Sequence, residues 1–218
     1  MTAGLRRIST QRESSGITLL ETKIVLEDKL SIGGKYLREI SEIVNHKKAF
    51  DYVKKCIAEN KPLSENIVKD IHAILMVNIL MGGIYRDVEV RITGTKHKPP
   101  TPSEMYIQIK DFYVELHDKQ EMNTIEFAAW THAEFVKIHP YEDDNGRTSR
   151  LIMNYQLMIN GFLPISIAKE DRLPYFETLE AYAVDGDLHP FAEMIANLES
   201  TQLDDYLSIL PKDKDYER

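Results

Sequence analysis

Apolar residues recur at helical spacing through most of the chain. Leu19, Ile24, Val25 and Leu26 begin the pattern, and it resumes beyond Gly33-Gly34 at Leu37, Ile40, Val44, Ala49, Tyr52 and Val53. Residues three and four apart share one face of a helix, so these runs predict amphipathic helices. Pro62 opens another, with Ser64 as N-cap before Glu65 and an apolar face through Ile67, Ile71, Leu75 and Ile79, ending at Gly82-Gly83. Further helices are predicted over residues 103–117, 125–138 and about 146–159, with a final pair over roughly 172–183 and 190–210.

One segment has a different period. Val88, Val90 and Ile92 alternate with Asp87, Glu89 and Arg91, the pattern of a half-buried strand. Gly94 supplies a turn and Pro99-Pro100 closes the segment. The expected architecture is all-α with one short β-hairpin. An exposed hairpin edge offers unpaired N–H and C=O groups, so Val88, Val90 and Ile92 are candidates for holding a target segment by strand addition.

Composition narrows the function. A chain of 218 residues, 43% hydrophobic, is long enough for one well-buried core with a short appendage. Its net charge is -8 and it has no long basic run, which argues against nucleic acid as a partner. The densest basic patch, Lys96-His97-Lys98, falls in a turn-rich stretch and reads as a solvated loop. The single cysteine, Cys56, cannot form an internal disulfide, which suits a cytoplasmic protein. The N-terminal stretch has arginines but no apolar core, so no secretory signal is expected there. The longest apolar stretch, residues 71–81, is interrupted by His72 and Asn78 and is too short to cross a bilayer, so no membrane partner is expected.

Residues 139–150, HPYEDDNGRTSR, carry the candidate chemistry. A histidine, three acids, an asparagine, a glycine and two arginines lie between two apolar helices, where Pro140 ends the first and Gly146 opens the second. A helix N-terminus reached through a glycine-containing turn is an anion site, because its first N–H groups have no intrahelical partner and the helix dipole favours negative charge. Arg147 and Arg150 share one face of that first turn, and two guanidiniums suit a polyphosphate. A divalent cation reconciles the acids with a phosphate ligand. Mg²⁺ takes one or two carboxylates together with phosphate oxygens and water, and Asp143 is the candidate ligand. His139, with an ordinary pKa near 6.5, suits a general base. Taken singly, each feature is common as a cap, a solvated acidic loop or a surface ion pair; together in one short loop they are not.

The same residues resemble the signature of Fic-domain proteins: His-Pro-Phe, any residue, Asp or Glu, Gly-Asn-Gly-Arg, two residues, Arg. Tyr141 stands where the signature has Phe, and Asp144 where it has its first Gly. The resemblance extends from Gly83-Ile84-Tyr85-Arg86 to Pro99-Pro100, similar to the family's flap, and through Leu163-Pro164 and Tyr175-Phe176 to Gly186-Asp187. It implies an all-helical fold with a β-hairpin flap, a catalytic domain over residues 31–218 with its core at about 64–165, and an N-terminal inhibitory region over 1–30. It implies transfer of AMP from ATP to a Ser, Thr or Tyr hydroxyl of a protein, the chain itself included. His139 would take the hydroxyl proton and Asp143 would hold Mg²⁺. Asn145, Gly146 and Arg147 would bind the α- and β-phosphates, with the Asp144 carboxylate beside them, and Arg150 would meet the γ-phosphate. Tyr175 would lie on the adenine side. Relatives with an inhibitory helix carry Ser or Thr, three residues, then Glu, which aligns with Ser9 and Glu13. Glu13 would pair with Arg150 and bar productive ATP binding. A second copy of the chain is an admissible partner.

Two alternatives stay open at this level. One is another chemistry of the same family, namely UMP or phosphocholine transfer or removal of AMP from a modified protein. The other is a non-catalytic protein-binding module with a degenerate nucleotide pocket.

Overall fold

The computed structural model describes residues 7–9, 18–28, 33, 34 and 36–209. Strand β1 (Arg7–Ser9) is followed by helix α1 (Leu19–Lys23), which runs on as a π-helical turn over Ile24–Asp28. Then come α2 (Leu37–Ala58), α3 (Glu65–Leu75), β2 (Val90–Ile92), α4 (Pro102–Asp118), α5 (Thr124–Ile138), α6 (Asn145–Ile159), α7 (Arg172–Asp185) and α8 (His189–Ile209). The predicted helical class holds.

Local chemistry sets several of the boundaries. Thr101 caps α4 in a capping box with Glu104, and Pro102 occupies the first turn, where its missing N–H is not needed. Helix α3 was expected to reach Ile79 but stops at Leu75. The buried Asn45 amide donates to the carbonyls of Leu75 at 3.0 Å and Val77 at 2.7 Å, and Asn78 turns the chain through a left-handed φ of 61°. A cross-chain cap invisible to periodicity therefore ends the helix. At Gly82 an added Cβ would lie 2.6 Å from the Ala73 Cα, so only glycine lets the chain return so close to α3.

The antiparallel pair α5–α6 forms the centre, buried on both faces. One face packs through Phe135, Ile138, Leu151, Ile152 and Tyr155 against Val53, Ile71, Ile109 and Phe112 of α2, α3 and α4. The other packs through Ala128, Ala129, Ala133, Met153 and Leu157 against Leu179, Phe191 and Ile195 of α7 and α8. The turn between α5 and α6 is thereby held from both sides.

The strand prediction needs correction. Among the described residues β2 spans only Val90–Ile92, and its partner is not the other arm of a hairpin. It pairs in parallel with β1, with Arg7 opposite Val90, Ile8 opposite Arg91 and Ser9 opposite Ile92. Val88 lies in a bend ahead of the strand. Between the Gly94 turn and Pro99-Pro100, the Lys96 N–H donates to the Glu180 carboxylate at 3.1 Å and the His97 N–H to the Thr95 hydroxyl at 3.0 Å, so the stretch expected to supply the second arm spends these donors outside a ladder. Ser9 was expected on a helical turn and lies instead in this strand, whereas Glu13 lies outside the described residues.

Candidate active site

The α5–α6 turn is built on two left-handed residues. His139 ends α5 at φ 52°, ψ 60°, its N–H closing on the Phe135 carbonyl, and Pro140 prevents continuation. Asp144 opens α6 at φ 62°, ψ 19°. A left-handed non-glycine residue costs about 1–2 kcal/mol, least for His, Asn and Asp. This backbone explains why Asp can stand where the Fic signature has glycine.

Three side chains lock the turn. Asn145 accepts from the Tyr141 N–H at 2.9 Å and donates to the Tyr141 carbonyl at 2.8 Å. Its amide was expected on phosphate and is spent inside the loop, where its 2% exposure leaves little else to reach. His72 stacks flat on Tyr141 with centroids 3.6 Å apart. Its Nδ1 accepts from the Gly83 N–H at 2.8 Å, which puts the ring proton on Nε2, 3.2 Å from the Asp143 carbonyl. Burial pushes this imidazole down to about 4 and keeps it neutral, as the pattern requires.

Arg86 is the third lock. Only 1% exposed, it donates through Nε to the His139 carbonyl at 2.8 Å, through Nη1 to Val88 at 2.9 Å and through Nη2 to Pro100 at 2.6 Å. Its own N–H donates to the Pro140 carbonyl at 3.0 Å. One guanidinium thus fastens the β2 segment to the His139 turn. Sequence reasoning passed over His72, Arg86 and Asn45 because each acts on backbone far away in the chain. An arginine soon after the Gly82-Gly83 break was the one signal the sequence offered.

His139 has the state a base needs. It is 3% exposed, and burial lowers its pKa to about 4, so it is neutral near pH 7. Nδ1 lies 3.3 Å from the Val136 carbonyl; with the proton there, Nε2 keeps its lone pair. Tyr141 is fully buried, and its hydroxyl has no hydrogen-bond partner among the described residues.

The charged groups form a chain across the loop. Asp143 Oδ1 accepts from the Asp144 N–H at 2.8 Å, while Oδ2 lies 2.6 Å from Arg38 Nη2. Arg38 Nε reaches Glu42 at 2.9 Å, Glu42 reaches Arg147 Nη2 at 3.4 Å, and Arg147 Nε pairs with Asp144. The Asp144 carboxylate was read as lying beside phosphate and here faces Arg147. Burial raises it to about 6 against the pull of Arg147, and its Oδ2 has no partner among the described residues. Gly146 and Arg150 stand in the first two turns of α6, and burial, followed by the charge of Arg150, lowers the pKa of His132 to about 3.

Tyr175, expected on the adenine side, packs inward. It is 3% exposed and shares a 2.9 Å hydrogen bond with His132, its ring packed against Phe176 and Phe191. The ring is part of the buried cluster formed by α5, α6, α7 and α8, where it removes apolar surface from water.

The comparisons agree with this geometry. Residues 62–157 match the Fic/DOC family. The chain is 34% identical over 200 residues to a protein adenylyltransferase Fic of Aedes aegypti, covering 89% of this chain and 40% of that protein. It is 33% identical over 199 residues to one of Drosophila grimshawi, covering 89% and 41%. Fic-1 (residues 134–508) of C. elegans has the same fold, with a TM-score of 0.82 at 27% identity over 90% of this chain and 59% of that one. The chain thus carries a Fic/DOC-family domain over residues 62–157. The whole chain spans about two fifths of the length of these curated relatives.

Proposed function

We propose that this domain transfers AMP from ATP to a hydroxyl of a protein. The observation that carries the reading is a neutral, left-handed His139 at one end of a short turn whose other end is the N-terminus of α6 with Arg147 and Arg150. The hydroxyl oxygen attacks the α-phosphorus, its proton passes to His139 Nε2, and the bond to the β-phosphate breaks to release pyrophosphate. Arg147, Arg150 and the first N–H groups of α6 offset the phosphate charge, so positioning and electrostatics dominate.

Asp143 would hold Mg²⁺. Its carboxylate is about one-third exposed, at 35%, and no group of three or more acidic, His or Cys side chains suited to a metal occurs among the described residues. One carboxylate completed by phosphate oxygens and water is the donor set Mg²⁺ prefers, and bound there it would neutralise phosphate charge.

The acceptor is read as an extended segment on the edge of β2. Support comes from β1, a segment of the same chain already paired there, which also favours the chain as its own acceptor. The pairing of Glu13 with Arg150 stays part of the proposal; Glu13→Gly should raise self-labelling, and an unchanged rate would remove the latch from the account. A cytoplasmic setting is part of the proposal and rests on the free, buried thiol of Cys56. A fluorescent fusion concentrating at membranes would contradict it.

The test is labelling with α- against γ-labelled ATP in Mg²⁺. Label from the α-position alone supports AMP transfer, and label from the γ-position alone means kinase chemistry. The Asp144 carboxylate on Arg147 favours one second reading, a different donor or the reverse reaction. Mass spectrometry of the product with ATP, UTP or CDP-choline, and of a pre-modified target, separates these.

A further inference from the structure

The five alternating charges Asp143, Arg38, Glu42, Arg147 and Asp144 include two from α2, outside the loop. We infer that α2 fills the nucleotide site with its own charges: Arg38 takes the cation's place at Asp143 and yields to the cation, and Glu42 takes that of a phosphate oxygen at Arg147 and yields to the nucleotide. This deepens the proposed function and rests on reading the loop as a phosphate site.

Three observations support it. Arg38 and Glu42 are one turn apart on α2 with Arg on the N-terminal side, the weaker order for an i,i+4 pair, so their own attraction is a poor reason for this arrangement. Each also reaches beyond α2, Arg38 to Asp143 of the α5–α6 loop at 2.6 Å and Glu42 to Arg147 in the first turn of α6 at 3.4 Å. The signs match those of the ligand, since a divalent cation brings positive charge to Asp143 and a phosphate brings negative charge to Arg147.

The two residues differ in how they would yield. The Arg38 side chain is 53% exposed and can swing into water. Glu42 is 14% exposed beside a carboxylate already on Arg147, so an arriving phosphate meets like charge that cannot easily leave. Arg38 therefore governs the cation requirement, and Glu42 the affinity for nucleotide.

Calorimetric titration of the full chain with ADP, with and without Mg²⁺, tests this. Glu42→Gln keeps the shape and removes the charge; ADP should bind it about tenfold tighter than the parent without metal, equivalent to about 1.4 kcal/mol. Arg38→Gln should lower the Mg²⁺ concentration for half-maximal ADP binding by about tenfold and leave metal-free binding within about twofold. Arg38→Lys, which keeps the charge, should restore the parental Mg²⁺ requirement. Circular dichroism melts check that each variant is folded, and Glu42→Ala, which also removes the charge, serves if Glu42→Gln is not. Weaker or unchanged ADP binding by folded Glu42→Gln overturns the proposal, as does an unchanged Mg²⁺ requirement in Arg38→Gln. If ADP binds the parent and Arg147→Ala equally, the phosphate-site reading itself fails.

Discussion

Replacing Arg86 by Met should separate the folding role of the Arg86 clamp from its effect on His139. The substitution keeps most of the apolar stem but deletes donors to the carbonyls of His139, Val88 and Pro100. Hydrogen bonds from a charged donor contribute about 1.5–3 kcal/mol each, and a buried acceptor left unmatched costs about 1–3 kcal/mol. Relief from desolvating the guanidinium, which burial makes less basic, offsets part of this loss. A net loss of about 2–4 kcal/mol is expected, lowering the Tm by roughly 5–15 °C for a chain of this size. The effect on transfer should be larger than the effect on nucleotide. The His139 backbone loses its tether, and a misplacement of about 1 Å can cost about a hundredfold in rate, while the phosphate end of the loop stays held by Asn145 and His72. The assay is initial-rate AMP transfer well below the Tm, with ADP affinity measured alongside. Arg86→Lys should rescue little, since an ammonium cannot reproduce the three-way fork. A variant with parental Tm and rate would refute the clamp, and one that lost ADP affinity as steeply as rate would place Arg86 at the phosphates.

Three other expectations follow from particular contacts. Tyr141→Phe removes a buried hydroxyl without a described partner and should raise stability by about 1 kcal/mol; a lower melting temperature would mean the hydroxyl is matched. His72, His132 and His139 are buried, with burial holding them at about 4, 3 and 4 against an ordinary 6.5. Their stabilising contribution is therefore complete above about pH 6.5 and is lost as pH falls toward 4. Asp144, raised to about 6, takes up a proton in the folded state and returns part of the loss, leaving a net of about two protons, or about 3 kcal/mol per pH unit near pH 5. A melting temperature flat from pH 7 to 5 would contradict these assignments. Ile8→Pro should release β1 from the edge of β2 and raise modification of a protein acceptor in trans with ADP affinity unchanged, whereas Val90→Pro should impair both self-modification and modification in trans. Equal loss of transfer and ADP binding in Val90→Pro would make β2 purely structural.

The central helices were legible because their boundaries are local. Apolar spacing, Pro140 and Gly146 mark the ends of α5 and α6 within a residue or two. The loop was legible for a related reason: its unusual residue types are contiguous. What escaped depends on contacts between distant segments. Asn45 ends a helix 30 residues away in the chain, and Arg86 clamps a turn 53 residues on. Arg38 lies 105 residues before the carboxylate it neutralises. The burial of Tyr175 was not legible either, because an aromatic residue packs inward as readily as it lines a site. The alternation of Val88, Val90 and Ile92 announced a strand but not its partner, because period reports which face is buried and not which segment completes the ladder.

The account depends most directly on His139 acting on the proton of the acceptor and not on nucleotide. His139→Ala should therefore be measured twice on one preparation, by ADP titration and by initial-rate transfer from α-labelled ATP. The account predicts ADP affinity within about threefold of the parent and transfer reduced by at least about 10²–10⁴-fold. Transfer near the parental rate by a folded His139→Ala protein would contradict it.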